Sequence, residues 1–353
     1  MKKIGILTFH RCINYGAYWQ VRCLSDFFRR AGHDVQVLDY RSKAYYVREF
    51  DHAIRPFRPL VVKRDFPSLM TKTMKFVFAQ QRLKRTPLFS LTDPPNFSEF
   101  DLIVVGSDEV WNFEHPWLGG VPLFFGERLA PKKLVSYAAS FGNYDAGQGL
   151  SAEWVARLAR FDQISVRDAN SMELVDRHLG RTPTMVLDPC LQFNLECRSA
   201  PRWRTPTPYL LIYGNKFEPA LIEETRQWAR ARQLRIVSVG YRNDWADVSV
   251  LTAGPNDFVR YFQEATAVVT TYFHGCVFSL RFQRPFAAQL SPYRTNKVQG
   301  LLGLLNATHR IFDPGIPGRL GEVLSTPIEP DILSTIETHR QTSSAFLDSC
   351  LQS

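Results

Sequence analysis

One histidine lies where a strand pattern ends and a helical pattern begins. The segment TTYFHGCVFSLRFQRPF, residues 270–286, follows the apolar run AVV, which predicts the end of a strand, and its CVFSLRFQ portion predicts a helix. Gly275 permits close backbone approach, and a helix N-terminus carries N–H groups that attract an anion. Because imidazole can add charge or move a proton near neutral pH, His274 is a candidate for either role. A purely structural histidine is the alternative.

Arg167 and Asp108 offer complementary charges. Arg167 follows the short strand pattern ISV, and a guanidinium can bind a carboxylate or a phosphate through two parallel hydrogen bonds. Asp108 follows the apolar strand pattern LIVVG. The alternatives are that Arg167 pairs with Asp168 or caps the next helix, and that Ser107 and Asp108 only cap a helix.

Further candidates come from the rule that parallel sheets bind ligands outside the carboxyl ends of their strands. Trp111 is either a core residue or a platform for a sugar ring. The chain contains no Walker loop, no GxGxxG fingerprint and no nucleophile elbow, and no metal-ligand constellation is recognised. The polar residues and turn glycines at predicted strand ends are His10, Arg11, Asn14, Tyr15, Ser107, Asp108, Ser140, Arg167, Asp168, Asp188, Gly214, Asn215, Lys216, Tyr241, Arg242, Tyr272 and His274.

The elements that position these residues alternate between strand and helix. The chain opens with the strand KKIGILTFH, the helix YWQVRCLSDFFRRAG and the strand HDVQVLDY, an order that favours a parallel sheet. A second series begins at PYLLIYG, after the Pro- and Arg-rich residues 198–207, where we place the domain boundary. The expected fold class is therefore α/β, with Rossmann-like lobes at 1–197 and 208–353 facing one cleft.

Composition limits the class of protein. Of the 353 residues, 45% are hydrophobic and 22% charged, as in soluble globular proteins. The six cysteines show neither metal-finger spacing nor a disulfide framework. The N-terminus does not resemble a signal peptide, and no apolar run is long enough to span a membrane. A cytoplasmic location is expected.

The formal net charge of +9 is concentrated in one segment. Residues 41–90 contain 12 Lys or Arg against 3 Asp or Glu, interleaved with aromatic residues. Such a basic insertion could meet an acidic acceptor or the inner face of an anionic membrane. The alternative is a solvated insertion between core elements. Nucleic acid is not an expected partner, since no recognised binding motif accompanies the charge.

Six blocks taken in order resemble the polysaccharide pyruvyl transferase family. They are TFHRCINYGAYWQ, DLIVVGSDEVWN, SYAASFG, ISVRDANS, VLDP and TTYFHGCVFSLRFQRPF, and they extend from Ile4 to about Leu305. The resemblance implies a GT-B-like pair of lobes. It also implies transfer of pyruvate from phosphoenolpyruvate to sugar hydroxyls, often as a ketal, in surface polysaccharide biosynthesis. The acceptor would be a sugar or glycan, often lipid-linked, and no separate cofactor or metal is expected.

Family members with a clear ketal-forming role often carry Arg-x-His where this chain has Tyr272, Phe273 and His274. An anion contact would then come from another cation, either Arg167, Arg242, Arg294 or Lys297. The roles that the resemblance suggests are His274 as phosphate ligand and acid, Arg167 as anion ligand, and Asp108, or else Asp168, as base. Residues expected to contact substrate are Asn14, Tyr15, Ser107, Trp111, Ser140, Asn215, Lys216, Arg242, Tyr272, Gly275, Arg294 and Lys297.

Two other functions fit the same sequence. One is a GT-B glycosyltransferase that uses a nucleotide sugar. The other is a non-catalytic protein of this family type that binds a glycan or a partner protein, which the missing arginine would favour.

Overall fold

The computed structural model describes residues 1–55, 63–195, 208–291 and 295–352. Helices and strands alternate along the chain, so the α/β class is confirmed. The strands are β1 Lys3–Leu7, β2 Asp34–Val37, β3 Leu102–Gly106, β4 Leu134–Tyr137, β5 Ser165–Val166, β6 Thr184–Met185, β7 Tyr209–Tyr213, β8 Arg235–Val239, β9 Val248–Val250, β10 Ala267–Thr270 and β11 Phe286–Ala288. The α-helices are α1 Tyr15–Arg30, α2 Lys43–Ile54, α3 Phe66–Gln81, α4 Ala152–Leu158, α5 Ala169–Leu179, α6 Pro189–Gln192, α7 Pro219–Ala231, α8 Pro255–Glu264, α9 Phe273–Arg281, α10 Thr295–Leu304, α11 Arg319–Ser325 and α12 Pro330–Leu351.

The chain forms two compact units, each built from more than one stretch of sequence. The first unit comprises Met1–His52, Phe78–Asn194 and Glu337–Ser353, and the second comprises Ala53–Val77 and Leu195–Ile336. The predicted boundary at 198–207 lies outside the described residues.

The first unit is built on a parallel sheet with strand order β2-β1-β3-β4. The β5–β6 pair is also parallel, and the isolated parallel bridge between Ala139 and Val166 connects it to the end of β4. All of these strands therefore end at one edge, which brings the residues after β3, β4, β5 and β6 toward each other. A core of buried apolar residues packs against the sheet.

The second unit contains a parallel sheet with strand order β11-β10-β7-β8-β9. Its strands are almost entirely buried and rich in Val, Ile and Leu, as expected when helices cover both faces of a parallel sheet. Each unit thus contains a parallel sheet with crossover helices, and the predicted pair of Rossmann-like lobes is confirmed.

Two segments lie in a different unit from the one that their sequence position predicted. The segment 53–77, from the basic insertion, belongs to the second unit, where Lys72 Nζ donates to the carbonyl of Gly240 at 3.0 Å. The last 17 residues belong to the first unit, where Ser343 Oγ accepts a hydrogen bond from the buried Leu187 N–H at 2.9 Å. Each segment is thus bonded to residues far away in the sequence.

Gly275 stands where α9 approaches β10. A Cβ atom at this position would lie 1.9 Å from Thr270 Oγ1, far inside van der Waals contact. Thr270 cannot easily move away, because its hydroxyl donates to Tyr213 O at 2.6 Å. The glycine is therefore needed for packing, whatever its distance from a substrate.

We expect Gly275→Ala to lower the free energy of unfolding by about 1–3 kcal/mol, the usual cost of overpacking a tight site. Gly303→Ala is the matched control, because nothing lies within 4 Å of a Cβ built there on α10. Alanine should stabilise that helix by up to about 1 kcal/mol. Urea denaturation of both variants measures the difference, and equal stability of the two would contradict this reading of Gly275.

Candidate active site

Arg167 is the centre of a buried ion cluster in the first unit. It follows β5, and its side chain is only 3% exposed. Its Nη1 lies 3.0 Å from Asp188 Oδ2, and its Nη2 lies 3.4 Å from Asp108 Oδ1. The ends of β3, β5 and β6 thus meet, as the strand-end rule predicted.

Asp188 joins this cluster to two helices. Its Oδ2 also accepts a hydrogen bond from Gln20 Nε2 of α1 at 2.6 Å, and its Oδ1 accepts from the Cys190 N–H at 2.9 Å, which caps α6. The strand-end rule places Asp188 at the correct edge of the sheet, but the sequence did not indicate a catalytic or substrate-binding role for it. Gln20 gave no sequence signal, because it lies in the middle of an amphipathic helix.

The cluster carries more negative than positive charge. Burial alone would lower the pKa of Arg167, but the carboxylates of Asp108 and Asp188 outweigh burial and raise it, so the guanidinium stays charged. The side chain of Asp188 is 1% exposed and that of Asp108 is 15% exposed. Asp108 is therefore the more solvent-accessible of the two carboxylates paired with Arg167.

The ion pairs of Arg167 run to Asp108 and Asp188, and Asp168 adds a smaller electrostatic attraction. Asp168 is buried and caps α5, where its Oδ1 accepts from the Ser171 N–H at 2.8 Å. This capping hydrogen bond occupies one oxygen of Asp168, the alternative candidate for the base.

Several residues of the first unit that were predicted to contact substrate have structural roles. Trp111 is fully buried and donates from Nε1 to Phe124 O at 2.8 Å, so it is a core residue and not a sugar platform. The hydroxyl of Ser107 donates to Tyr137 O at 3.3 Å, and that of Ser140 accepts from Gly142 N at 2.9 Å. Both serines and Tyr15 are buried, and a substrate contact at these three residues stays a prediction.

Asn14 is exposed at the start of α1, and its Oδ1 accepts from the Ala17 N–H at 3.2 Å. It therefore caps the helix while its amide group remains accessible to solvent. A substrate contact at this residue stays a prediction.

In the second unit, the turn after β7 is bonded to the neighbouring strand ends. Asn215 N donates to Thr271 Oγ1 at 3.3 Å, and Gln289 Nε2 donates to Lys216 O at 3.2 Å. Lys216 has a left-handed φ of 52° and an exposed side chain. The turn is thus fixed by its backbone, while the lysine ammonium group remains accessible.

Tyr272 replaces the family arginine and lies in an aromatic cluster. Its ring centroid lies 4.9 Å from that of Tyr213 and 5.2 Å from that of Tyr241. The residue is buried and is the N-cap of α9, with no hydrogen bond from its side chain to the helix. Half-buried His274 follows in the first helical turn, its ring 5.1 Å from Phe273.

The cations proposed to replace the family arginine differ in their availability. Arg242 forms a bidentate ion pair with Asp65, which satisfies much of its charge. Lys297 is buried, and Arg294 lies outside the described residues. Arg242 is therefore a weaker candidate for an anion contact than its position at a strand end suggested.

A second charged cluster surrounds Asp39, two residues beyond β2, where the strand-end rule could have found it. Asp39 is buried and accepts from His10 Nε2 at 2.9 Å and from both Nε and Nη2 of Arg11 at 2.7 Å. Arg85 Nη1 lies 3.3 Å from Oδ2 of Asp39. These contacts hold the loop between β1 and α1 against β2.

Two α/β units, each with a parallel sheet and charged residues at its strand ends, define a Rossmann-like protein. Proteins of this class bind ligands outside the carboxyl ends of their strands. The polysaccharide pyruvyl transferase family model matches residues 14–288, which is more than half of the chain. The chain therefore belongs to the polysaccharide pyruvyl transferase family.

Comparison with proteins of curated function finds no match. Among solved structures, the chain is similar to a UDP-GlcNAc 2-epimerase from Neisseria meningitidis bound to UDP-GlcNAc, with 8% identity, a TM-score of 0.48 and coverage of 100% of both chains. It is also similar to Arabidopsis thaliana UGT89C1 complexed with UDP-L-rhamnose, with 11% identity, a TM-score of 0.46 and coverage of 98% of this chain and 94% of that one.

The Asp39 cluster predicts a pH dependence of stability. Burial alone would raise the pKa of Asp39, but hydrogen bonds from His10 and Arg11 outweigh burial and lower it from 3.8 to about 2. The depressed pKa contributes about 2 kcal/mol of stability above pH 4, and this contribution is lost as the pH falls toward 2. Asp39→Asn should therefore lower the free energy of unfolding at pH 7, and its difference from wild type should shrink between pH 4 and pH 2.

Denaturation of both proteins at several pH values measures this difference. Asp313→Asn, at an exposed aspartate, is the control and should show little effect at any pH. A gap between wild type and Asp39→Asn that stays constant down to pH 2 would show that the carboxylate charge is not what stabilises this loop.

Proposed function

We propose that this protein transfers the pyruvyl group of phosphoenolpyruvate to two hydroxyls of one sugar, forming a ketal and releasing phosphate. The observation that carries the proposal is the family match over residues 14–288. The acidic cluster at the sheet edge of the first unit and the half-buried histidine at the start of α9 support it with groups of the required chemistry.

The reaction needs one acid and one base. The acid protonates the methylene carbon of phosphoenolpyruvate, which makes C2 electrophilic, and the first hydroxyl bonds to C2 while its proton passes to the base. The C2–O bond to phosphate then breaks, and the phosphate leaves with the electron pair. The second hydroxyl bonds to C2 and gives its proton to the departing phosphate, which completes the ketal.

Asp108 is our proposed base. It is the more accessible carboxylate of the two that pair with Arg167. Arg167 itself is buried and held by two carboxylates, so we assign it to the positioning of Asp108 more than to direct binding of the donor. This differs from the role that the sequence suggested, in which Arg167 binds the anion of the donor.

His274 is our proposed acid and phosphate ligand. It lies in the first turn of α9, where the helix dipole and the N–H groups of the first turn favour an anion. Exposed Lys216, at the carboxyl end of β7 in the same unit, is a further cation for the donor. Protonation and charge neutralisation are then supplied by side chains, and the proposal includes no further cofactor.

The acceptor is proposed to be a lipid-linked or nucleotide-linked glycan intermediate of surface polysaccharide biosynthesis. The basic character of residues 41–90 supports an anionic acceptor or a site at the inner face of the membrane. No described helix is long and apolar enough to cross a membrane.

The direct test measures phosphate release from phosphoenolpyruvate in the presence of a panel of glycan acceptors, with mass spectrometry of the products. A gain of one pyruvyl ketal on the acceptor supports the proposal. Binding of UDP-sugars with glycosyl transfer would support a glycosyltransferase instead. Glycan binding without turnover of either donor would support a non-catalytic role.

We expect Asp108→Asn to lower kcat by about 10²–10⁴, the usual contribution of a general base, with a smaller change in KM for phosphoenolpyruvate. Asp313→Asn is the matched control at an exposed site. Thermal unfolding of both variants separates catalysis from stability. Wild-type turnover by a folded Asp108→Asn protein would exclude Asp108 as the base.

We expect His274→Asn to weaken phosphoenolpyruvate binding by about 1–3 kcal/mol, the value of a hydrogen bond to a charged group. If His274 is also the acid, kcat at saturating donor should fall as well. His339→Asn, at a half-buried histidine of α12, controls for loss of an imidazole. Isothermal titration measures binding, and unchanged affinity with unchanged kcat would leave His274 a structural residue.

A further inference from the structure

The solvent-facing side of α3 has an unusual composition. Phe66 and Met74 are each 39% exposed and Phe78 is 56% exposed, while Met70, at the same helical spacing, is partly exposed. The other exposed residues on this side are Pro67, Thr71 and Gln81, so the central face of the helix carries no charge. A surface helix normally presents charged side chains to water.

The two lysines of α3 lie outside the centre of this face. Lys72 is buried, and its Nζ donates to Gly240 O at 3.0 Å and lies 5.2 Å from the ring centroid of Tyr241. Lys75 lies at the margin of the face, where it pairs with Asp257 at 2.8 Å. The helix therefore buries Lys72 together with Leu69 and Phe76, while it exposes Phe66, Met74 and Phe78.

The exposed apolar residues of the described chain are concentrated in the basic segment. Among the seven large ones, five fall between residues 41 and 90: Val47, Phe66, Met74, Phe78 and Leu88. Exposed cationic residues flank α3 in the sequence. Lys63 and Arg64 precede the helix, and Arg82 and Lys84 follow it. Apolar surface framed by cations is complementary to an anionic lipid surface.

We propose that α3 is an interfacial docking helix that inserts Phe66, Met74 and Phe78 into the headgroup region of an anionic membrane. The flanking side chains of Lys63, Arg64 and Arg82 would contact lipid phosphates, whereas Lys84 pairs with Asp34. Thr71 would not oppose insertion strongly, because its hydroxyl already donates to Pro67 O at 2.9 Å within the helix. Contiguous exposed apolar surface of this kind commonly marks a binding face.

This inference deepens the proposed membrane contact by naming the element and the mode of binding. Its use, to bring the protein to a lipid-linked acceptor, rests on the proposed function. Lipid binding itself is measured without any turnover, so its failure and the failure of the proposed transfer are distinguishable.

The test is co-sedimentation of the full chain with vesicles of phosphatidylcholine containing about 30% phosphatidylglycerol. We expect wild type to pellet with these vesicles and far less with pure phosphatidylcholine. Met74→Ser combined with Phe78→Ser should weaken binding at least tenfold, because the apolar contact is lost. Binding by wild type should fall at high salt but persist in part, since salt screens charge and not insertion.

Ile316→Ser is the matched control, because Ile316 is 50% exposed outside this segment and its truncation should leave binding unchanged. Lys63→Gln combined with Arg64→Gln tests the charges and should weaken binding mainly at low salt. Sedimentation velocity tests the alternative, in which a second copy of the chain covers this face of α3 in place of a membrane. The proposal would be overturned if wild type did not bind anionic vesicles, or if the double serine variant bound them as wild type does. Self-association of wild type that the same variant abolishes would also overturn it.

Discussion

A buried guanidinium is the constraint on which the first unit depends. Removing a charge from water is costly unless it is paired and hydrogen-bonded, and Arg167 is almost completely enclosed. Its neutralisation requires Asp108 from the end of β3 and Asp188 from the start of α6, and Asp188 in turn holds Gln20 of α1. One arginine therefore fixes the relative positions of several elements and leaves a single carboxylate partly accessible.

Much of this arrangement could be predicted from the sequence, and the reason is topological. Parallel strands share a carboxyl edge, so Asp108, Arg167 and Asp188 could be placed together from their positions after apolar runs. The choice of partners could not be predicted. Gln20 and Asp188 are 168 residues apart, and local patterns contain no information about such a contact. The burial of Trp111 likewise depends on tertiary packing.

The two segments that lie in an unexpected unit, 53–77 and 337–353, show a second limit of prediction from sequence. Helical periodicity identifies a helix by an apolar stripe that faces the core. In α3 this pattern is obscured, because apolar residues lie on the exposed side as well as the buried side and Lys72 is buried. The composition of residues 41–90 therefore indicated charge and aromatic content but neither the helix nor its orientation. The C-terminal residues of α12 carry few strong signals, and their assignment follows from contacts such as that of Ser343 with Leu187.

The division of the chain also has a consequence for its synthesis. The first unit draws its last residues from Glu337–Ser353, and the second takes an early piece from Ala53–Val77. Domains usually fold as units, beginning from the N-terminus as the chain leaves the ribosome. Here the first unit cannot be complete until Glu337–Ser353 have been translated, because Leu187 and Leu191 find their partners Ser343 and Arg340 only on α12. Neither unit can be obtained whole by cutting the chain once.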